Sequence, residues 1–143
     1  MNAARRPSYN VGMANKLTTF LMFTGRCEEA MNFYVSLFPN SSIKQLERFG
    51  AGEHGAEGTI KRGLIQVAGF DLMCFDSPPV HAFTFTPSMS LFVECESEAE
   101  LDAAFAKISS DGGVLMPPNN YGFSRKFAWV SDRFGVSWQL NLA

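Results

Sequence analysis

Trp129-Val130-Ser131-Asp132-Arg133-Phe134-Gly135-Val136-Ser137-Trp138-Gln139-Leu140 decides how the rest of the chain is read. Runs of strand-forming residues flank a polar turn entry and Gly135, a residue able to take positive φ, so the stretch predicts a β-hairpin. After Gly135 the residues alternate. Val136, Trp138 and Leu140 fall on one side and Ser137, Gln139 and Asn141 on the other, as a half-buried strand with one hydrogen-bonding face requires.

Working back from this hairpin, residues 123–130 form its first strand, 117–122 a loop and 114–116 a short strand. A helix precedes them, with Leu101, Ala104, Phe105 and Ile108 as its apolar stripe and Asp111-Gly112-Gly113 as its stop. Residues 88–94 are the strand that opens this half. The first half has the same grammar. Residues 17–23 are an aromatic-rich strand, Thr24-Gly25-Arg26 a turn, and Ala30, Phe33, Tyr34, Leu37 and Phe38 recur at helical spacing before Pro39-Asn40. Strands are expected over 43–49, 59–67 and 70–76, with the glycine-rich 50–55 as a loop and Ala68-Gly69 as a tight turn. Residues 77–87, with three prolines and His81, connect the halves.

The halves superimpose on the numbering. Thr19 maps to Ser88 and Phe23 to Phe92, both 69 residues on; Ala30, Phe33, Tyr34 and Leu37 map to Leu101, Ala104, Phe105 and Ile108, 71 on; Gly69 and Met73 map to Gly135 and Gln139, 66 on. The expected fold is therefore α+β, two βαβββ modules over 15–76 and 88–143 in a single domain, 15–143, with helices outside a curved mixed sheet. Strand alternation sends Phe20, Met22, Met89, Leu91, Val93, Val136, Trp138 and Leu140 toward the helices, and Thr19, Leu21, Met73, Ser88, Ser90 and Gln139 toward a cavity between the modules.

Composition narrows the function. The 143 residues are 46% hydrophobic and carry a formal net charge of −2, enough chain for one core and no basic field for nucleic acid. A small neutral or weakly polar ligand fits better. Cys27, Cys74 and Cys95 are odd in number and form no C-x-x-C pair, which points to a reducing cytoplasm. Cys27 sits beside Arg26, which favours a thiolate, and beside Glu28 and Glu29, which oppose one. Residues 1–14 read as a loose tail with no apolar run for a signal peptide or membrane span; Met13 allows the tail to be an upstream extension.

The hairpin stretch, together with Glu29-Ala30-Met31-Asn32-Phe33-Tyr34 and Ser90-Leu91-Phe92-Val93-Glu94, resembles the PhnB-like branch of the vicinal-oxygen-chelate (glyoxalase/bleomycin-resistance) superfamily over residues 16–142. The resemblance implies the paired-module fold and a homodimer whose modules share cavities. It also brings an inherited label, 3-demethylubiquinone-9 3-methyltransferase. In the superfamily's metal enzymes, four inward positions on the first and last strands of each module hold a divalent ion; here they correspond to Thr19, Met73, Ser88 and Gln139. Three of these four are poor ligands, so no metal is expected. Where the branch often has Cys-Gly before the tryptophan, this chain has Phe127-Ala128.

The ligand-binding residues expected are Thr19, Met73, Ser88, Trp129 and Gln139. Gln139 either orients a ligand with its amide or only satisfies Thr19 or Ser88; Trp129 is either a stacking wall or a core aromatic. His54 and His81 lie in loops and are not spaced as a chelating pair. Glu28, Glu29, Glu94, Glu96, Glu98 and Glu100 fall at helix starts or exposed ends, where they complement the helix dipole. No glycine-rich strand-to-helix turn is present to hold a methyl donor, since Gly50-Ala51-Gly52 lies between strands, and no cofactor is expected. The leading reading is a metal-independent small-molecule-binding protein, its catalytic residues unassigned. The alternative is an enzyme, either a metal-dependent lyase, isomerase or dioxygenase of the superfamily or the methyltransferase of the label.

Overall fold

The computed structural model describes Gly12 and residues 14–143; the expected tail and Met13 lie outside the described residues apart from Gly12 and Ala14. The first module is β1 (Thr19–Phe23), α1 (Cys27–Val35), β2 (Ser42–Arg48), β3 (Ile60–Val67) and β4 (Phe70–Asp76). The second is β5 (Ser90–Glu94), α2 (Glu98–Ser109), β6 (Gly113–Asn119), β7 (Lys126–Ser131) and β8 (Ser137–Leu142). Each module forms its own four-stranded mixed sheet, ordered β1-β4-β3-β2 and β5-β8-β7-β6, in which only β1 with β4 and β5 with β8 run parallel. The fold is the expected pair of βαβββ units.

Local chemistry explains the elements. Ala68 and Gly69 both take positive φ, 49° and 86°, the twist-matched conformation of a two-residue hairpin between β3 and β4. Ser97 accepts from the Glu100 amide while the Glu100 carboxylate accepts from the Glu96 amide, a reciprocal N-terminal clamp on α2. No side chain of α1 caps its own start; Asp76 at the end of β4 does so from outside, accepting from the amides of Gly25, Cys27 and Ile60. Strand β6 runs through Pro117 and Pro118, where a loop was expected. It is the sheet's edge, and an edge strand tolerates a residue with no N–H.

The register overturns the expected faces of β1. Leu21 lies opposite Cys74 and Phe23 opposite Asp76, all four buried, so Thr19, Leu21 and Phe23 share the helix-covered face and Phe20 and Met22 the open one. Numbering alone put Phe23 on Phe92. The cross-strand pairs Phe20 with Met73 and Phe92 with Gln139 instead align Phe20 with Phe92, 72 residues on. The error of three is odd, and an odd slip turns every side chain to the other face. In the second module the expected faces hold along β5 and β8, where Trp138 and Leu140 are buried and Leu91 and Val93 pack against the core; Met89, expected under the helix, instead precedes β5 and is 69% exposed. The helices also align differently from the numbering, with Cys27, Ala30, Met31 and Tyr34 over Leu101, Ala104, Phe105 and Ile108 at 74.

One core joins both modules, drawing on α1, α2 and the helix-covered faces of both sheets. At its centre Asp132, 3% exposed, accepts from Tyr34 Oη at 2.7 Å, Trp138 Nε1 at 3.0 Å, and the amides of Phe134 and Val136. Tyr34 also packs edge-on against Trp138. Burial, then the Asp132 carboxylate, push the Tyr34 hydroxyl far above its ordinary range, so it stays a proton donor. The open faces are not closed over one another within one chain. Phe20 on the first and Phe92 on the second remain 58% and 54% exposed.

Candidate functional site

The open face of the second sheet gathers the polar side of the hairpin. Strand β8 places Gln139 opposite Phe92 on β5 and Trp129 on β7, and Ser137 opposite Ser90. The two serine hydroxyls bond at 2.7 Å, Trp129 Nε1 donates to Ser137 Oγ at 2.9 Å, and Gln139 Nε2 donates to Ser90 Oγ at 3.2 Å. The partner of Gln139 is thus Ser90, neither Thr19 nor Ser88. Among the described residues the amide makes this one side-chain bond, and the side chain is half-buried. One rung further, Asn141 Nδ2 donates to Glu94 Oε1 at 2.9 Å, while its buried Oδ1 has no partner among the described residues.

Of the five residues read from the sequence, Trp129 and Gln139 are brought together. Met73 lies on the open face of the other sheet, opposite Phe20 and Leu64. Thr19 sits on the helix-covered face and lines a crevice of about 250 Å³ with Ser90 and Ser137. Ser88 precedes β5, is exposed, and bonds to Thr86 Oγ. Ser137, the hub of the serine pair and of Trp129, was not singled out; its place beside Gln139 on the polar side of the alternation was the available signal. Phe20 was missed because its strand was turned over.

The opposed open-face pairs, Phe20 with Met73 and Phe92 with Gln139, offer one amide and one thioether. Among the described residues no three His, Cys, Asp or Glu side chains converge to hold a metal. That donor set does not fit zinc, nickel or iron, whose catalytic sites take at least three imidazole, carboxylate or thiolate ligands. His54 packs edge-on against Phe49, and His81 stacks on Phe83 in the connection between modules. Cys27 is wholly buried; its hydrogen bond with Cys74 and then desolvation raise its pKa far above the ordinary value, which removes it as a nucleophile at neutral pH. No helix among the described residues is long and apolar enough to cross a membrane.

Two open mixed sheets, each carrying one helix, define a protein of the glyoxalase/vicinal-oxygen-chelate fold. The fosfomycin resistance protein FosX of Listeria monocytogenes shares this fold, with a TM-score of 0.63 at 11% identity over 92% of this chain and 94% of that one. The chain belongs to the family described as 3-demethylubiquinone-9 3-methyltransferase, which matches residues 15–141. It is 52% identical to a PhnB protein from Bacillus cereus, TM-score 0.87, covering 90% of this chain and all of that one. It is also 22% identical to YjdN of Escherichia coli K12 over 139 residues, 88% of this chain and 94% of that protein.

Proposed function

We propose that the protein binds a small molecule without a metal, and that Gln139, beside Trp129 and Phe92, orients it on the open face of the second sheet. The carrying observation is the tether: one N–H of Gln139 is held by Ser90, so the amide is aimed while Oε1 and the second N–H stay available. Met73 and Ser88, read as ligand contacts from the sequence, stand on other surfaces, and Thr19 meets the site only through the crevice that it lines with Ser90 and Ser137. Two copies of the chain associate so that open faces meet; Phe20 and Phe92, both large and more than half exposed, supply the motive, as apolar sheet faces are costly in water. Methyl transfer, the activity in the family's description, is disfavoured by the turns into the helices. Thr24-Gly25-Arg26 and Cys95-Glu96-Ser97 lack the glycine-rich loop that commonly cradles a methyl donor.

Light scattering at micromolar concentration is expected to give twice the chain mass; a clean monomer rejects the association. A thermal-shift screen of planar and hydrophobic metabolites supplies the ligand. Gln139→Ala should then weaken its binding by about 1 to 2 kcal/mol, the worth of a neutral hydrogen bond, with the fold intact. Unchanged affinity with lowered stability would reduce Gln139 to a partner of Ser90. Stoichiometric metal in the purified protein would overturn the metal-free reading.

A further inference from the structure

Away from the open face of the second sheet, the proline-rich connection lies over the end of β1 and walls a cleft of about 500 Å³. Its lining combines Phe20, Phe83 and Phe85 with Arg26 and Arg133. The two guanidinium groups differ in how they are occupied. Arg26 is engaged by Glu29 through Nε at 3.2 Å and Nη2 at 3.0 Å, and lies over the Phe134 ring at 4.5 Å. That pairing raises the pKa of Arg26 and lowers that of Glu29, and it takes both carboxylate oxygens. Arg133 stacks over Phe33 at 4.7 Å, its Nε is buried without a hydrogen-bond partner, and no ion pair reaches it among the described residues.

Arg133 lines the cleft and no carboxylate of the described residues holds its guanidinium, so an anion bound there meets a cation without a competing partner. A flat guanidinium held against a ring is preorganised to take two oxygens of an anion side by side. The adjoining walls are aromatic: Phe83 is 68% exposed and stacked with His81, and Phe85 packs on Phe23. The size lies within the range of small-molecule sites.

We propose that this cleft is a second binding site, for a planar apolar molecule bearing a carboxylate, with the carboxylate on Arg133 and the ring system against Phe83 and Phe85. The anion is matched to the one unpaired charge of the cleft, and the flat body to its aromatic walls. The net charge of −2 hides this, because a local excess of positive charge does not show in a sum over the chain.

The test titrates the 15N-labelled full chain with 2-naphthoate and, separately, with its neutral analogue 2-naphthamide. The expected result is saturable movement of the Arg133 Nε–H signal and of the amide signals of residues 81–85 with naphthoate, and at least tenfold weaker binding of the amide. Arg133→Gln should weaken naphthoate at least tenfold, whereas Arg125→Gln, which removes an equal charge elsewhere, should change it less than twofold. Should Arg133→Gln fail to fold, Phe83→Ala carries the test with the same tenfold expectation. Equal binding of acid and amide, or full binding by the folded variants, overturns the proposal. So does an absence of saturable binding; if Arg133→Gln then also converts a wild-type dimer to monomer, a carboxylate of a second copy is the occupant.

Discussion

On the first sheet the open positions of the paired strands β1 and β4 are Phe20, Met22, Asp71, Met73 and Phe75; on the second, β5 and β8 carry Ser90, Phe92, Glu94, Ser137, Gln139 and Asn141. The helix-covered faces diverge far less, both filled by apolar side chains under a helix. A repeat must keep whatever its core needs and is free where it faces outward. Apart from Asp71 at one end, held by Lys16 and Lys44, the first open face has become a hydrophobic floor, Phe20 on Phe75 with ring centroids 5.0 Å apart, and the second a set of aimed hydrogen-bonding groups. Binding chemistry is therefore sought on the second and association on both.

The largest effect expected comes from the carboxylate that joins the modules. Asp132→Ala strands four donors, and should cost about 4 kcal/mol in denaturant unfolding. Tyr34→Phe, which withdraws only the first module's share, should cost about 1 to 2 kcal/mol. Two separate unfolding transitions in the wild type would break the picture of one core with two faces.

The next effect is in pH. Burial pushes the Cys95 thiol from its ordinary value of 9.0 up to about 11. The folded state then holds a proton that the unfolded state has released. Its contribution is intact below about pH 9 and is lost as pH rises toward 11, a loss of about 2 kcal/mol relative to Cys95→Ala. Parallel stability curves for the two proteins across pH 8 to 11 would contradict the assignment.

The smallest effects come from exchanging the two faces at aligned positions. Gln139→Met should leave stability within about 1 kcal/mol and reduce ligand affinity roughly tenfold. Met73→Gln should change both by less, since Met73 is only half-buried and faces Phe20 instead of a hydroxyl pair. A larger loss of ligand affinity from Met73→Gln would move the site to the first sheet.

The two modules, the hairpin and the polar side of β8 were legible in the sequence because strong local signals agreed: Gly135 at the turn, strict alternation after it, and a helix with an apolar stripe in each half. The open face of β1 was not. Thr19-Phe20-Leu21-Met22-Phe23 is apolar on both sides, so alternation carries no information there, and only pairing with Leu72 to Asp76 sets the face. Trp129 and Gln139 as neighbours followed from the hairpin. Their link through Ser137 and Ser90 needed the parallel partner strand, which no local signal positions. The unpaired Arg133 needed three dimensions for another reason: Arg26 and Glu29 are close in sequence, but whether a distant arginine finds an acid depends on the whole fold.

The bond between Tyr34 and Asp132 spans 98 residues. As the chain emerges during synthesis, the first module can pair its strands and dock α1 while its tyrosine still lacks the acceptor it will finally use. That hydroxyl must stay hydrated, and the aromatic side of α1 unsealed, until the last hairpin is made. The nascent first half is thus left with a wet, sticky flank until the hairpin of β7 and β8 closes it.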